Sequence, residues 1–167
     1  MRPQCDYILR TLGTVLATKF MPSLEADHAR AEMGLTALIL GVISEEFERV
    51  AHRRIEENRE MRNIFQEAIP VVQDEHLKNE LIVATEKTEV DFHISALDHL
   101  NCELQKVLIH LHAHIEDVNG PEARTIEEAI WEELEKQVQR REFMTWEVAA
   151  AVFESAAESS PEAAEAG

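Results

Sequence analysis

Two pairs of the form E-x-x-x-H, Glu48/His52 and Glu89/His93, have residue types and spacing that could do chemistry in this 167-residue chain. Residues four apart share a helix face, so each pair sets a carboxylate beside an imidazole. Two of each across a helix pair would suit zinc, or iron with further carboxylates. The helix faces argue against that set. Glu48 follows its apolar seam residue whereas His93 precedes its own, which puts them on opposite sides of an antiparallel seam. A ferritin-type di-iron bundle would also carry two E-x-x-H motifs, and only Glu25-Ala26-Asp27-His28 has that form. No cofactor is therefore expected. Zn or Fe held by Glu48, His52, Glu89 and His93 is the alternative.

The run His110-Leu111-His112-Ala113-His114 looks like a metal tract, but on a helix its alternate members diverge by about 200°. Only His110, His114 and Asp117 share a side, and a solvated face is expected there. Polar residues also interrupt the apolar seams: Arg54, Asn58, Glu80, Glu86 and Asn101. Arg54, Glu86 and Asn101 are expected to be buried, with Glu86 as the partner of Arg54. Such groups more often set register or oligomeric state than perform catalysis. A ligand site lined by Arg54, Glu86, Glu89 and His93 is the alternative, because buried titratable clusters can be functional. Ser/His/Asp and Cys/His arrangements, glycine-rich phosphate loops and basic–aromatic patches are not recognisable, so no catalytic residue can be named.

These side chains must be held by helices. Glycine and proline number five each, while Ala, Glu and Leu are abundant. The clearest signal is the apolar series Val90, Ile94, Leu97, Asn101, Leu104, Leu108, Leu111, Ile115, Val118, whose period of about 3.5 marks a narrow helix–helix seam. Helix 1 is expected from Pro3 to about Phe20, with the face Cys5, Ile8, Leu9, Leu12, Val15 and Leu16. Helix 2 is expected from Ser23–Asp27 to about Ala68, ended by Pro70. Helix 3 is expected from about Gln73 to Val118, stopped by Asn119-Gly120-Pro121. Thr125-Ile126-Glu127-Glu128 resembles a capping box opening helix 4, which would reach about Phe153 through Trp146 and Ala149. Residues 155–167 lack apolar anchors and read as a disordered acidic tail.

The expected fold is all-α: an antiparallel four-helix up-down bundle, one domain over residues 1–154, with two long central helices forming a protruding hairpin. A turn at Pro70 and Val71 would set Met33 against Leu108 and Ala51 against Val90. Gly34 and Gly41 suggest a close approach of helix 1. At 1.5 Å per residue the central helices would outrun helices 1 and 4, leaving about residues 52–88 uncovered. That tip carries Met61, Phe65, Ile69, Leu77 and Leu81, more apolar surface than a soluble monomer leaves bare. A homodimer through the tip is expected. The alternative is a break near Asn58 that folds the tip back onto its own bundle.

Charge and composition narrow the partners. The formal charge is −17, divided as −9 over residues 1–119 and −8 over 120–167. Phosphate backbones and anionic lipids repel such a chain, so neither nucleic acid nor membrane is expected as a partner. The arginines from Arg49 to Arg62 alternate with glutamates as helix-face ion pairs. Cys5 and Cys102 read as reduced, packed thiols of a cytoplasmic protein. Asp6 and Arg10 interrupt the apolar stretch after Arg2, and no signal peptide is expected.

The segment Leu9-Arg-Thr-Leu-Gly-Thr-Val-Leu, then Met-Pro-Ser-Leu, His28-Ala-Arg, Ala37-Leu and Glu45-Glu46, resembles a family of small all-helical bacterial proteins of unknown function. Their members accompany aminoglycoside-phosphotransferase-like proteins and acyl-CoA dehydrogenases. The resemblance covers about 40 residues and implies an accessory role, with a partner from the same operon. The resulting expectation is a non-enzymatic scaffold or accessory protein acting as a homodimer. A helical-bundle protein binding a metal or small ligand through Glu and His is the alternative.

Overall fold

The computed structural model of this protein describes residues 4–118 and 120–143. All regular structure among them is helical, as the composition requires. The elements are α1 (Cys5–Val15), extended by a π-helical turn at Leu16–Phe20 and a 3-10 turn at Met21–Ser23, then α2 (Asp27–Ala68), α3 (Glu75–Glu86), α4 (Ile94–Asp117) and α5 (Pro121–Gln139). No helix of the described residues is long and apolar enough to cross a membrane. The chain divides into two compact units, one of Met1–Arg49 with Phe143–Gly167 and the other of Val50–Glu142. The tail at 155–167 and the part of helix 4 carrying Trp146, Ala149 and Phe153 lie outside the described residues.

In the first unit α1 packs antiparallel on the start of α2. Ser44 is buried there and donates its hydroxyl to the carbonyl of Asp6 at 2.8 Å. Closer to the turn, Gly13 lies so near α2 that a Cβ would stand 2.9 Å from the carbonyl oxygen of Ala37. Any side chain there would push the helices apart. Gly34 only meets the sulfur of Met21 at an ordinary contact distance, so the close approach of helix 1 expected at Gly34 is carried by Gly13. Arg30 closes the turn by donating to the carbonyls of Leu24 (2.8 Å) and Glu25 (3.1 Å).

In the second unit the end of α2, with α3, α4 and α5, shares one core. Met61, Phe65, Ala68, Val72, Leu77 and Leu81 interdigitate with Leu104, Leu108, Leu111, Ile115, Ile126 and Ile130. The middle of the seam read from the sequence is buried on α4, from Leu97 through Asn101, Leu104, Leu108 and Leu111 to Ile115, while Ile94 at its start is exposed. Asp74 caps α3 by accepting the backbone N–H of His76 (2.8 Å) and Leu77 (3.0 Å). Helix α5 starts five residues earlier than the capping box suggested. Pro121 takes its first turn, Gly120 before it adopts φ 155°, and Thr125 bonds back to the Pro121 carbonyl at 3.1 Å.

One expectation fails and takes others with it. Helix 3 is two helices, broken at residues 87–93. Arg62 holds the break: it donates to the freed carbonyl of Lys87 (3.1 Å) and makes a paired contact with the Glu89 carboxylate (2.9 and 3.1 Å). The Asp91 carboxylate accepts the His93 N–H and so prepares the start of α4. Past the break, α3 and α4 run antiparallel, tied by Lys87–Glu103 (2.8 Å) and Glu80–His110 (3.1 Å). The protruding hairpin therefore does not form. Val90 is 94% exposed in the break instead of facing Ala51, and α2 stays helical through Asn58. Met61, Phe65 and Leu81 are completely buried, Leu77 nearly so, and Ile69 packs against the same core. These five are core residues rather than an interface tip. Phe65→Ala is accordingly expected to cost about 3–5 kcal/mol in urea denaturation; an exposed tip residue would change stability by only about 0.5 kcal/mol.

Candidate functional site

Two features of the described residues depart from an ordinary helical core: a buried polar layer in the second unit and an exposed apolar face in the first. The polar layer centres on Glu57, which has no exposed surface. Its carboxylate accepts from Arg54 (2.9 Å), from the Asn101 amide (3.2 Å) and from Arg141 (3.0 Å). Arg54 also binds Asp98 on α4, and Asn101 donates to the side-chain oxygen of Asn58 at 2.9 Å. On α5, buried Glu133 accepts two hydrogen bonds from Arg140 (2.8 and 3.3 Å) and one from Gln137 (3.2 Å). Burial lowers the pKa of Arg54, but its bonds to Glu57 and Asp98 outweigh that effect and hold it above the ordinary value.

This layer corrects and extends the sequence reading. Arg54 and Asn101 do come together, but Glu86 does not join them. Glu86 ends α3 exposed to solvent, because the break at 87–93 carries it away from α2. Asp98 takes its place. Glu57, Asp98, Glu133, Arg140 and Arg141 escaped the sequence reading. Only Glu57 left a signal, lying three residues beyond Arg54 on one helix face. Charges buried in this way are tolerable only when each is paired and hydrogen-bonded. The carboxylates of the layer are committed to arginines, which makes it a clamp between helices rather than a reactive centre.

The expected metal set is not assembled. Glu48 and His52 are exposed, and His52 faces Glu56 at 3.8 Å. Glu89 is held by Arg62, while His93 sits exposed at the N-cap of α4 beside Asp91. No group of three or more His, Cys, Asp or Glu among the described residues is placed to hold a metal ion. The histidine run divides its labour: His110 is exposed and pairs with Glu80, whereas His112 packs edge-on against Trp131 at 5.2 Å. Cys5 and Cys102 are both exposed thiols, not packed ones.

The first unit has the opposite character. Among its described residues only Gly13 and Ser44 are buried. Along α2, Leu35, Ile39, Ile43 and Phe47 form a ridge at four-residue spacing, each 46–50% exposed. On α1, Ile8 and Leu12 from the expected apolar face are also exposed. At about 100° per residue, Ile8 and Leu12 lie roughly a third of a turn from Gly13, the point of contact with α2. The α2 ridge lies roughly a third of a turn, in the same helical sense, from Ala37 and Ser44. In antiparallel helices equal senses put both sets on one side of the plane containing the axes. The hairpin thus presents a single apolar face built from both helices. No family model, curated protein or solved structure matches this chain.

Two outcomes follow for the polar contacts of the second unit. Glu57→Ala strands Arg54 and Arg141 and is expected to cost about 3–5 kcal/mol in chemical denaturation at neutral pH. The second concerns Glu89, whose burial would raise its pKa. The hydrogen bonds and charge of Arg62 outweigh burial and hold the carboxyl below its ordinary range. A carboxyl with a depressed folded pKa contributes stability that is present above its unfolded pKa and lost as pH falls through the folded value. The stability gap between the parent and Arg62→Gln is therefore expected to be widest near neutral pH and to shrink below about pH 4, the ordinary glutamate range. Urea denaturation across that range measures it.

Proposed function

We propose that this protein is a non-enzymatic helical scaffold or accessory protein that works through the apolar face of α1 and the first part of α2. One observation carries this reading: six large apolar side chains, Ile8, Leu12, Leu35, Ile39, Ile43 and Phe47, stand exposed on one side of a two-helix hairpin. Contiguous apolar surface of that kind marks interaction sites on proteins not embedded in lipid. The supporting physics is that the second unit has a shared buried core, whereas among the described residues of the first only Gly13 and Ser44 are buried. The face replaces the hairpin tip as the place where a partner binds. An accessory role beside an operon partner, as the sequence resemblance implies, fits the same surface.

A cytoplasmic setting and the absence of nucleic-acid contacts are part of the proposal. They rest on the −17 charge and the two free thiols. The reading is tested with a photo-crosslinking amino acid placed at Ile43 in the full chain inside its native cells. A covalent protein adduct of discrete mass is expected, lost when Leu35→Glu is added and absent when the label is moved to exposed Lys106. Irradiation that leaves the chain unmodified at Ile43 would remove this face as the working surface.

A further inference from the structure

We infer that the apolar face is covered by a second copy of this chain, the two α2 ridges meeting antiparallel about a two-fold axis midway between Ile39 and Ile43. The inference rests on reading this face as an interaction surface and adds the identity of its occupant. Three observations favour self-association over another partner.

The first is the form of the ridge. A two-fold axis requires a surface that complements itself. With the axis between Ile39 and Ile43, each Ile39 meets the other copy's Ile43, and each Leu35 meets the other copy's Phe47. Glu46 and its copy then lie about 15 Å apart along the helix axes, so no like charges oppose one another across the ridge. A parallel arrangement would set Glu32 against Glu32 and Glu46 against Glu46. Four-residue spacing is also the ridge used when helices pack at a crossing angle of about 50°, rather than along a coiled-coil seam.

Charge is the second. The chain as a whole carries −17, and two copies repel wherever that charge is concentrated. Residues 1–49 hold five basic and seven acidic side chains, against eleven and twenty-one in residues 50–142. Residues 1–49 balance to −2, so the side chains of the hairpin itself add little repulsion between two ridges, and the remaining −5 of the unit lies in residues 143–167.

Area is the third. Six large side chains about half exposed offer on the order of 500 Å² per copy, so a pair reaches the roughly 1,000 Å² that a specific interface needs. Ile8 and Leu12 extend the patch on the same side as the ridge, so each copy contributes two helices.

The test is the mass of the full-length particle by sedimentation equilibrium, from low micromolar concentration upward. The parent chain is expected at twice 19.0 kDa. Ile39→Glu and Ile43→Lys, each alone, are expected to give monomers, since each homodimer would bury two uncompensated charges. Mixed in equal amounts the two variants are expected to pair. The axis sets the introduced carboxylate of one copy against the introduced ammonium of the other, and leaves an Ile–Ile contact at the related site. Circular dichroism shows whether each variant stays helical, and Leu35→Glu replaces any that does not. A parent chain that is monomeric throughout overturns the inference. So does a mixture that fails to pair while the parent dimerises, which would mean another arrangement. If the Ile43 crosslink still captures a different protein, the interaction surface stands and only its occupant is wrong; if it captures nothing, both readings fall.

Discussion

Burial of the apolar run from Met61 to Leu81 governs the second unit, and the break at residues 87–93 is its consequence. A continuous helix from Gln73 to Val118 would have carried Leu77, Leu81 and Ala84 away from any partner in the chain. Interrupting it lets α3 double back along α4, so that Phe65, Leu81 and Leu111 share one interior. Breaking a helix leaves carbonyls without partners, and such groups are costly unless another donor reaches them. Arg62 supplies the donor for Lys87 and clamps Glu89 at once. Packing stabilises the reversal, and the arginine satisfies the backbone that the reversal frees.

The polar layer beneath that core follows from the same geometry. Once α4 starts at Ile94, Asp98 and Asn101 face Arg54, Glu57 and Asn58. A purely apolar layer could slide along the helix axis by a turn at small cost. A layer in which Glu57 must meet two arginines and an asparagine cannot, since any slip strands a buried charge. Specificity of register is the physical gain, as with a lone asparagine in a coiled-coil seam.

Helix positions and the α4 seam are legible in the sequence because strong local signals agree with the packing. Pro22 and Pro70 bracket α2, and the seam from Leu97 to Ile115 is buried residue for residue as its period implies. The break is not legible. Val90 continues the apolar series, no glycine or proline interrupts residues 87–93, and the deciding contact comes from Arg62, twenty-five residues upstream of Lys87. The β-branched Thr88 and Val90 lower helix propensity only slightly. Misplacing that one joint makes Glu86 the partner of Arg54 and turns core residues into a tip. Periodicity finds the apolar face of α1, but on α2 it sets Ala37, Ser44 and Phe47 in one seam facing α4 and passes over Leu35, Ile39 and Ile43 beside them. Small residues mark close helix contact; the larger Leu35, Ile39, Ile43 and Phe47 are left over from it.

On the proposed reading, that remainder is the working surface. In the second unit the carboxylates of the polar layer are held by arginines. In the first unit α1 and α2 touch through Gly13, Ala37 and Ser44, residues too small to bury much area. Close approach of the backbones there fixes the angle between helices, and the large side chains are displaced to one side. A hairpin built this way gains little hydrophobic stabilisation from its own contact. The same choice of small residues inside and large residues outside leaves Leu35, Ile39, Ile43 and Phe47 about half exposed.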